Sequence, residues 1–156
     1  MPKPNHPETM DFLLANICHL HRTRARQLFD AIGLYRGQPL VLLALWEQEG
    51  FTQTELAERL KIAPATVTKM LQRMEKTGFI QRKPDVQDQR VSRVYLTKAG
   101  RAIQGDVEAV WKTMQAETFA NFTPEERALL RRFLLQMQEN LLHATGEEPW
   151  KSTGKV

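Results

Sequence analysis

The sequence predicts a mainly α-helical chain that carries one small β-hairpin. Three observations lead there. Six segments repeat apolar residues at helical spacing, each bounded by start or stop residues. Only two short runs, 79–83 and 92–96, are rich in β-formers, and the polar stretch 84–90 between them reads as a hairpin tip. Gly33, Gly50, Gly78 and Gly146 fall after these segments rather than inside them.

The first helix is expected over residues 9–32. Phe12, Leu13, Ile17, Leu20 and Leu28 follow helical spacing, Arg22, Arg24 and Arg26 lie on the polar side, and Gly33 stops it. The second, 39–48, has Pro39 in its first turn, where a missing N–H does no harm. Its run Leu40-Val41-Leu42-Leu43-Ala44-Leu45-Trp46 is apolar nearly all round, which predicts a buried central helix ended by Gly50. A third helix starts at Thr52, because Thr52-Gln53-Thr54-Glu55 has the form of a capping box. Leu56, Ala57 and Leu60 would face inward, and Lys61-Ile62-Ala63 would turn the chain. Pro64 opens a fourth helix, on which Val67, Met70, Leu71 and Met74 form one apolar stripe and after which Gly78 is the stop. Beyond the hairpin, Thr97 begins a helix expected to run to about Ala120. Thr123-Pro124-Glu125-Glu126 opens the last helix with a cap, a first-turn proline and acidic residues that suit its positive end. Leu129, Leu130, Phe133, Leu134, Met137, Leu141 and Leu142 continue it, and the polar tail 146–156 is expected to be disordered.

Apolar residues make up 42% of the chain, enough for a core. No run nears the ~20 apolar residues that span a bilayer, so no membrane partner is expected. The polar, proline-bearing segment 1–7 does not have the form of a signal peptide, and Cys18, the single cysteine, cannot close an internal disulfide. A cytoplasmic location is therefore expected. Charge is unevenly spread. Residues 51–101 hold 11 basic and 5 acidic side chains, a net +6, against zero for 1–50 and −2 for 102–156. A gathered basic region is the footprint of a nucleic-acid reader, although a merely solvated basic face gives the same count. No Gly-rich phosphate loop, nucleophile elbow or paired metal motif is present, which argues against an enzyme and against a cofactor.

The informative unit is 52–96: helix, three-residue turn, helix, two-stranded ribbon. In that arrangement one helix crosses the DNA backbone and the second lays its exposed side chains in the major groove. With the apolar stripe removed, the fourth helix presents Ala65, Thr66, Thr68, Lys69, Gln72, Arg73 and Lys76. Gln pairs with adenine, Arg or Lys with guanine, and Thr or Ala touches a thymine methyl. Thr52 and Pro64 open the two helices, whose N-termini suit phosphate. Any surface helix shows polar residues opposite an apolar stripe, so the helix pair alone leaves both readings open. The ribbon favours DNA, because Arg82, Lys83, Arg90 and Arg93 sit on it.

Asp85-Val86-Gln87-Asp88-Gln89-Arg90, followed by Val94-Tyr95-Leu96-Thr97-Lys98-Ala99-Gly100, resembles the wing and next helix of the MarR family of winged helix-turn-helix transcriptional regulators. Thr54-Glu55-Leu56-Ala57 and the stretch from Val67-Thr68-Lys69-Met70-Leu71 to Gly78-Phe79-Ile80 resemble the same family, and the order of elements agrees over most of the chain. The resemblance implies a DNA-binding winged helix-turn-helix domain at 37–100, an N-terminal dimerisation helix at 9–36 and C-terminal dimerisation helices at 101–145. It implies that Arg90 enters the minor groove, where narrow A·T tracts concentrate negative potential, and that Asp88 orients it. Gln89 stands where the family often has a basic residue. It further implies a homodimer joined through Phe12, Leu13, Ile17, Leu130, Phe133, Leu134, Met137 and Leu141. The last helix is too apolar to face water, which agrees, although packing on the chain's own core would account for it equally. Such a dimer would set two recognition helices one DNA turn, ~34 Å, apart on a pseudo-palindromic operator of double-stranded DNA, as a repressor.

For the signal, the resemblance implies a small aromatic ligand or an oxidant. Cys18 and the run from Leu40 to Glu47 are similar to the organic-peroxide-sensing branch, but the tyrosines of that branch correspond here to Arg36 and Pro39, with Tyr35 adjacent. His19, His21 and nearby arginines would favour a thiolate; a small buried apolar residue is the other reading of Cys18. Cys18 and His21 share a helix face, yet His6 and His143 stand apart, so no metal site is expected. Three readings stay open: a ligand-responsive regulator, a redox-sensing regulator using Cys18, and a winged-helix module that binds protein.

Overall fold

The computed structural model describes residues 9–149. The segment 1–7 and the end of the expected tail, 150–156, lie outside the described residues, and 147–149 carry no regular secondary structure. The chain forms two compact units, divided between Met114 and Gln115.

The first unit begins with helix α1, Met10–Ala31, whose N-cap Thr9 accepts a hydrogen bond from the Phe12 N–H at 3.3 Å. Helix α2, Gln38–Glu47, is the buried central helix that its composition requires: Val41, Leu42, Ala44 and Leu45 are sealed from solvent. Then come strand β1 (Phe51–Thr52), helix α3 (Gln53–Leu60), helix α4 (Pro64–Lys76), strands β2 (Ile80–Pro84) and β3 (Ser92–Leu96), and helices α5 (Lys98–Ala102) and α6 (Gln104–Thr118). The core gathers α2 with Leu56 and Leu60 of α3, Val67, Leu71 and Met74 of α4, and Ile80, Val94 and Leu96 of the sheet. Phe29 meets Trp111 edge to face, ring centroids 5.2 Å apart, and so fastens the end of α1 to α6.

Three features differ from the sequence expectation. The sheet has three strands, in the antiparallel order β1-β3-β2, not two. Helix α2 ends at Glu47, within one residue of the expected 48, and Gly50 is not its stop: the Gly50 N–H donates to the Val94 carbonyl at 2.9 Å and leads the chain into β1. Phe51 and Thr52 then pair with Val94 and Arg93. The helix expected from Thr97 to Ala120 is interrupted at Ile103, between Gly100 and Gly105, two residues that lower the cost of leaving a helical ladder.

Gly100 is fixed by close approach. A Cβ there would lie 2.0 Å from the Phe79 carbonyl oxygen. The Gly100 carbonyl also accepts the Trp46 indole N–H at 2.9 Å, so α5 cannot simply move away. Gly100→Ala is expected to cost about 3 kcal/mol of stability, the upper range for overpacking. Urea denaturation checks this; a loss below ~1 kcal/mol would show that the backbone yields there.

The second unit holds helix α7, Pro124–Thr145. Its capping box is formed: the Thr123 hydroxyl accepts from the Glu126 N–H at 3.2 Å, and the Glu126 carboxylate accepts from the Thr123 N–H at 2.9 Å. Phe119 and Phe122 meet edge to face ahead of it. No residue of α7 is buried, although it carries six leucines. Phe133, Leu134 and Leu141 are exposed and Leu130 and Met137 half-buried; on α1, Phe12, Leu13, Ile17 and Leu20 are exposed as well.

Candidate nucleic-acid interface

The helix pair is built locally. Thr52 accepts from the Glu55 N–H at 3.1 Å while Glu55 Oε2 accepts from the Thr52 N–H at 2.7 Å, which completes the capping box of α3. Lys61 ends α3 in the left-handed region, φ 51°, and the Ile62 N–H returns to the Ala57 carbonyl at 3.0 Å. That sharp turn delivers Pro64 to the first position of α4. Burial of Val67, Met70, Leu71 and Met74 then fixes which face looks outward. Pro64, Ala65, Thr66, Lys69, Gln72, Arg73 and Lys76 are all exposed. The side chains of Lys69, Arg73 and Lys76 form no ion pair with the described residues, so their charge is available to an incoming partner. Thr52 and Thr68 differ, being half-buried and engaged. The Thr68 hydroxyl donates to the Pro64 carbonyl at 3.0 Å and accepts from the Gln53 side-chain amide, so it braces α3 against α4.

Two aspartates shape the wing tip. Asp85 Oδ1 accepts the N–H groups of Gln87 at 2.8 Å and Asp88 at 3.0 Å. Asp88 Oδ1 accepts the Arg90 N–H at 3.0 Å, so it controls Arg90 through the backbone. Arg90 is exposed and forms no ion pair with the described residues. Lys83, also exposed, lies with its ammonium 5.4 Å from the centroid of the Tyr95 ring.

Arg82 and Arg93 are placed otherwise. Arg82 Nε lies 3.3 Å from Glu75 Oε2, an ion pair without hydrogen-bond alignment. Arg93 Nε donates to Asp85 Oδ2, its Nη1 donates to the Gly50 carbonyl at 2.8 Å, and Glu55 Oε2 stands 3.7 Å away. The charge pattern of the sequence had no local sign of this, because Glu55 and Gly50 are distant along the chain. An Asx turn opening at Asp85 was the one readable signal.

The Arg93 hydrogen bond, then the two backbone N–H donors, hold the Asp85 carboxyl at a pKa of about 2, down from an ordinary 3.8. The Arg93 pKa is raised in return. A depressed folded-state pKa stabilises the fold fully above the ordinary value, and that contribution fades as pH falls through about 2. A carboxyl-carbon NMR titration is expected to place Asp85 near 2, and higher than that but still below the ordinary 3.8 once Arg93 is replaced by Gln, because the two backbone donors remain. An ordinary value in the unmodified protein would refute the pairing.

Residues 34–92 match the family model of MarR. The HTH-type transcriptional regulator TtmR of Methylorubrum extorquens (strain PA1) is 32% identical over 139 residues, covering 86% of this chain and 70% of its own. The chain belongs to the MarR family. Among MarR-family and related structures, an S. aureus MepR variant aligns with a TM-score of 0.74 at 25% identity, covering 85% of this chain and 98% of that one. A second MepR variant, bound to an oligodeoxyribonucleotide, aligns with a TM-score of 0.60 at 25% identity, over 85% and 98% of the two chains. Bordetella bronchiseptica BpsR, whose DNA binding is regulated by 6-hydroxynicotinic acid, aligns at 0.71 and 26% identity, over 87% and 98%. This MarR-family chain is thus a transcriptional regulator with a DNA-binding winged-helix fold, and its relatives are regulators rather than enzymes.

The remaining candidate residues lie apart from the helix pair and wing. Cys18 is exposed on α1, as are His19 and His21. Among the described residues no three His, Cys, Asp or Glu side chains are grouped to hold a metal ion, and no helix is long and apolar enough to cross a membrane.

Proposed function

We propose that this MarR-family protein is a homodimeric, sequence-specific repressor whose hold on a pseudo-palindromic operator is tuned by a small aromatic acid. One observation carries the DNA reading: α4 turns Lys69, Gln72, Arg73 and Lys76 to solvent together, opposite its buried stripe. Such a face meets base edges and phosphates in a major groove. The uncovered apolar residues of α1 and α7 support the dimer, because water-facing leucine in that quantity is an interface awaiting its partner. The ligand reading leans on BpsR, whose DNA binding answers an aromatic acid.

Selection of bound duplexes from a random pool tests the proposal. Enrichment of a two-fold sequence, with half-sites ~10 bp apart between centres, is the expected result. A pool that stays random would end the sequence-specific reading. Gln72→Ala and Arg73→Ala should each cost ~1–3 kcal/mol and relax preference at one position of each half-site. Uniform weakening across all sequences would assign these two side chains to phosphate instead. For the signal, hydroxylated aromatic acids should raise the melting temperature and release the operator. Cys18 supports a second reading through its exposure: operator release by peroxide, abolished in Cys18→Ser, would replace the ligand with an oxidant.

A further inference from the structure

We propose that Arg93 is a positioning residue that ties the wing to the cap of α3 and so presents Arg90 to DNA, without touching DNA itself. The proposal rests on the reading of the wing as a DNA contact.

The geometry is a continuous chain of hydrogen bonds closed at one end by an ion pair. Glu55 Oε2, already bonded to the Thr52 N–H, faces Arg93 Nη1 at 3.7 Å. Arg93 also holds the Gly50 carbonyl, at the entry to β1, and its Nε donates to Asp85 Oδ2. The other oxygen of Asp85 bonds the N–H groups of Gln87 and Asp88, and Asp88 bonds the N–H of Arg90. Register puts Arg93 at the junction, opposite Thr52 in β1 and Lys83 in β2. One guanidinium therefore joins the helix-turn-helix, the third strand and the turn that shapes the tip.

A two-stranded ribbon is marginal by itself. Held only by its strands, the tip would sample many directions, and fixing it on DNA would cost conformational entropy. The pairs of Arg93 are partly exposed, hence screened, so their contribution to global stability is small. Their effect is local order at the tip. Arginine suits the task better than lysine, because its planar fork bonds Asp85 and Gly50 in two fixed directions.

Three variants of the full chain test this, with operator affinity read against salt by fluorescence anisotropy. Arg93→Gln is expected to bind about tenfold more weakly with an unchanged salt slope; loss of a phosphate contact would lower that slope by about 1. Arg93→Lys should remain weak, since charge alone does not rebuild the fork. Asp85→Asn is the sharpest arm. Deleting an acidic group beside DNA should strengthen binding by charge alone, whereas loss of the tie weakens it. In the free protein, amide exchange at Gln87, Asp88 and Arg90 should rise in Arg93→Gln while the amides of α4 stay protected. In an Arg90→Ala background, Arg93→Gln should add nothing. Tighter binding by Asp85→Asn, rescue by Arg93→Lys with a restored slope, or additive losses with Arg90→Ala would each overturn the proposal. An Arg90→Ala variant that binds like the unmodified protein would instead remove the wing reading beneath it.

Discussion

Leu134→Glu combined with Leu141→Glu is expected to leave the protein monomeric and unable to hold an operator. Both side chains are exposed on α7, at 45% and 58% of their full area. With Leu130 and Met137 they fall at intervals of four, three and four residues, the seam that pairs helices. Covering a leucine stabilises by ~1.5–3 kcal/mol, and in a two-fold dimer each position counts twice. Placing a carboxylate in such a contact adds a desolvation cost of ~2–7 kcal/mol or more. The dimer dissociation constant should therefore rise by at least ~10⁴-fold, as each ~1.4 kcal/mol is tenfold. Sedimentation equilibrium reads this directly. A variant still dimeric at micromolar concentration would mean that α7 is not the interface.

Arg90→Ala is expected to weaken operator binding by ~10²-fold, since two wings each lose a contact of ~1–3 kcal/mol. The loss should be greatest where the flanks are A·T-rich, because a narrow minor groove concentrates the potential that attracts the guanidinium. The structure supplies what this requires: an exposed side chain on a backbone held by Asp88 and, through the turn, by Asp85. Anisotropy titration of A·T-flanked and G·C-flanked operators checks both the size and the sequence dependence. Equal affinities for variant and unmodified protein would take the wing out of recognition.

Much of the fold could be read from the sequence because its signals are local. The stripe Val67-Met70-Leu71-Met74 fixes both that α4 is helical and which face is outward, and the capping boxes at Thr52 and Thr123 fix two helix starts to the residue. What escaped was set by distance along the chain. Strand β1 is two residues long, too short to show alternation, and Thr52 serves as strand end and helix cap together. The break at Ile103 lies between Gly100 and Gly105, in a stretch whose apolar spacing continues across it, so periodicity does not report it. Counting charge marked Arg82, Arg90 and Arg93 alike. Only the register of the hairpin separates Arg90, exposed at the tip, from Arg93, turned toward Asp85 and Glu55. Cys18 shows the converse: the sequence offered burial as one reading of the thiol, and it is exposed.

The most direct measurement is the affinity of the unmodified protein for a random-sequence duplex as salt rises from 50 to 200 mM. If the outward faces of α4 and the wing meet phosphates from both halves of a dimer, log affinity should fall linearly with log salt, by ~10³-fold or more over that range. Binding that is absent at 50 mM, or that persists unchanged at 200 mM, would contradict the placement of these basic side chains on DNA.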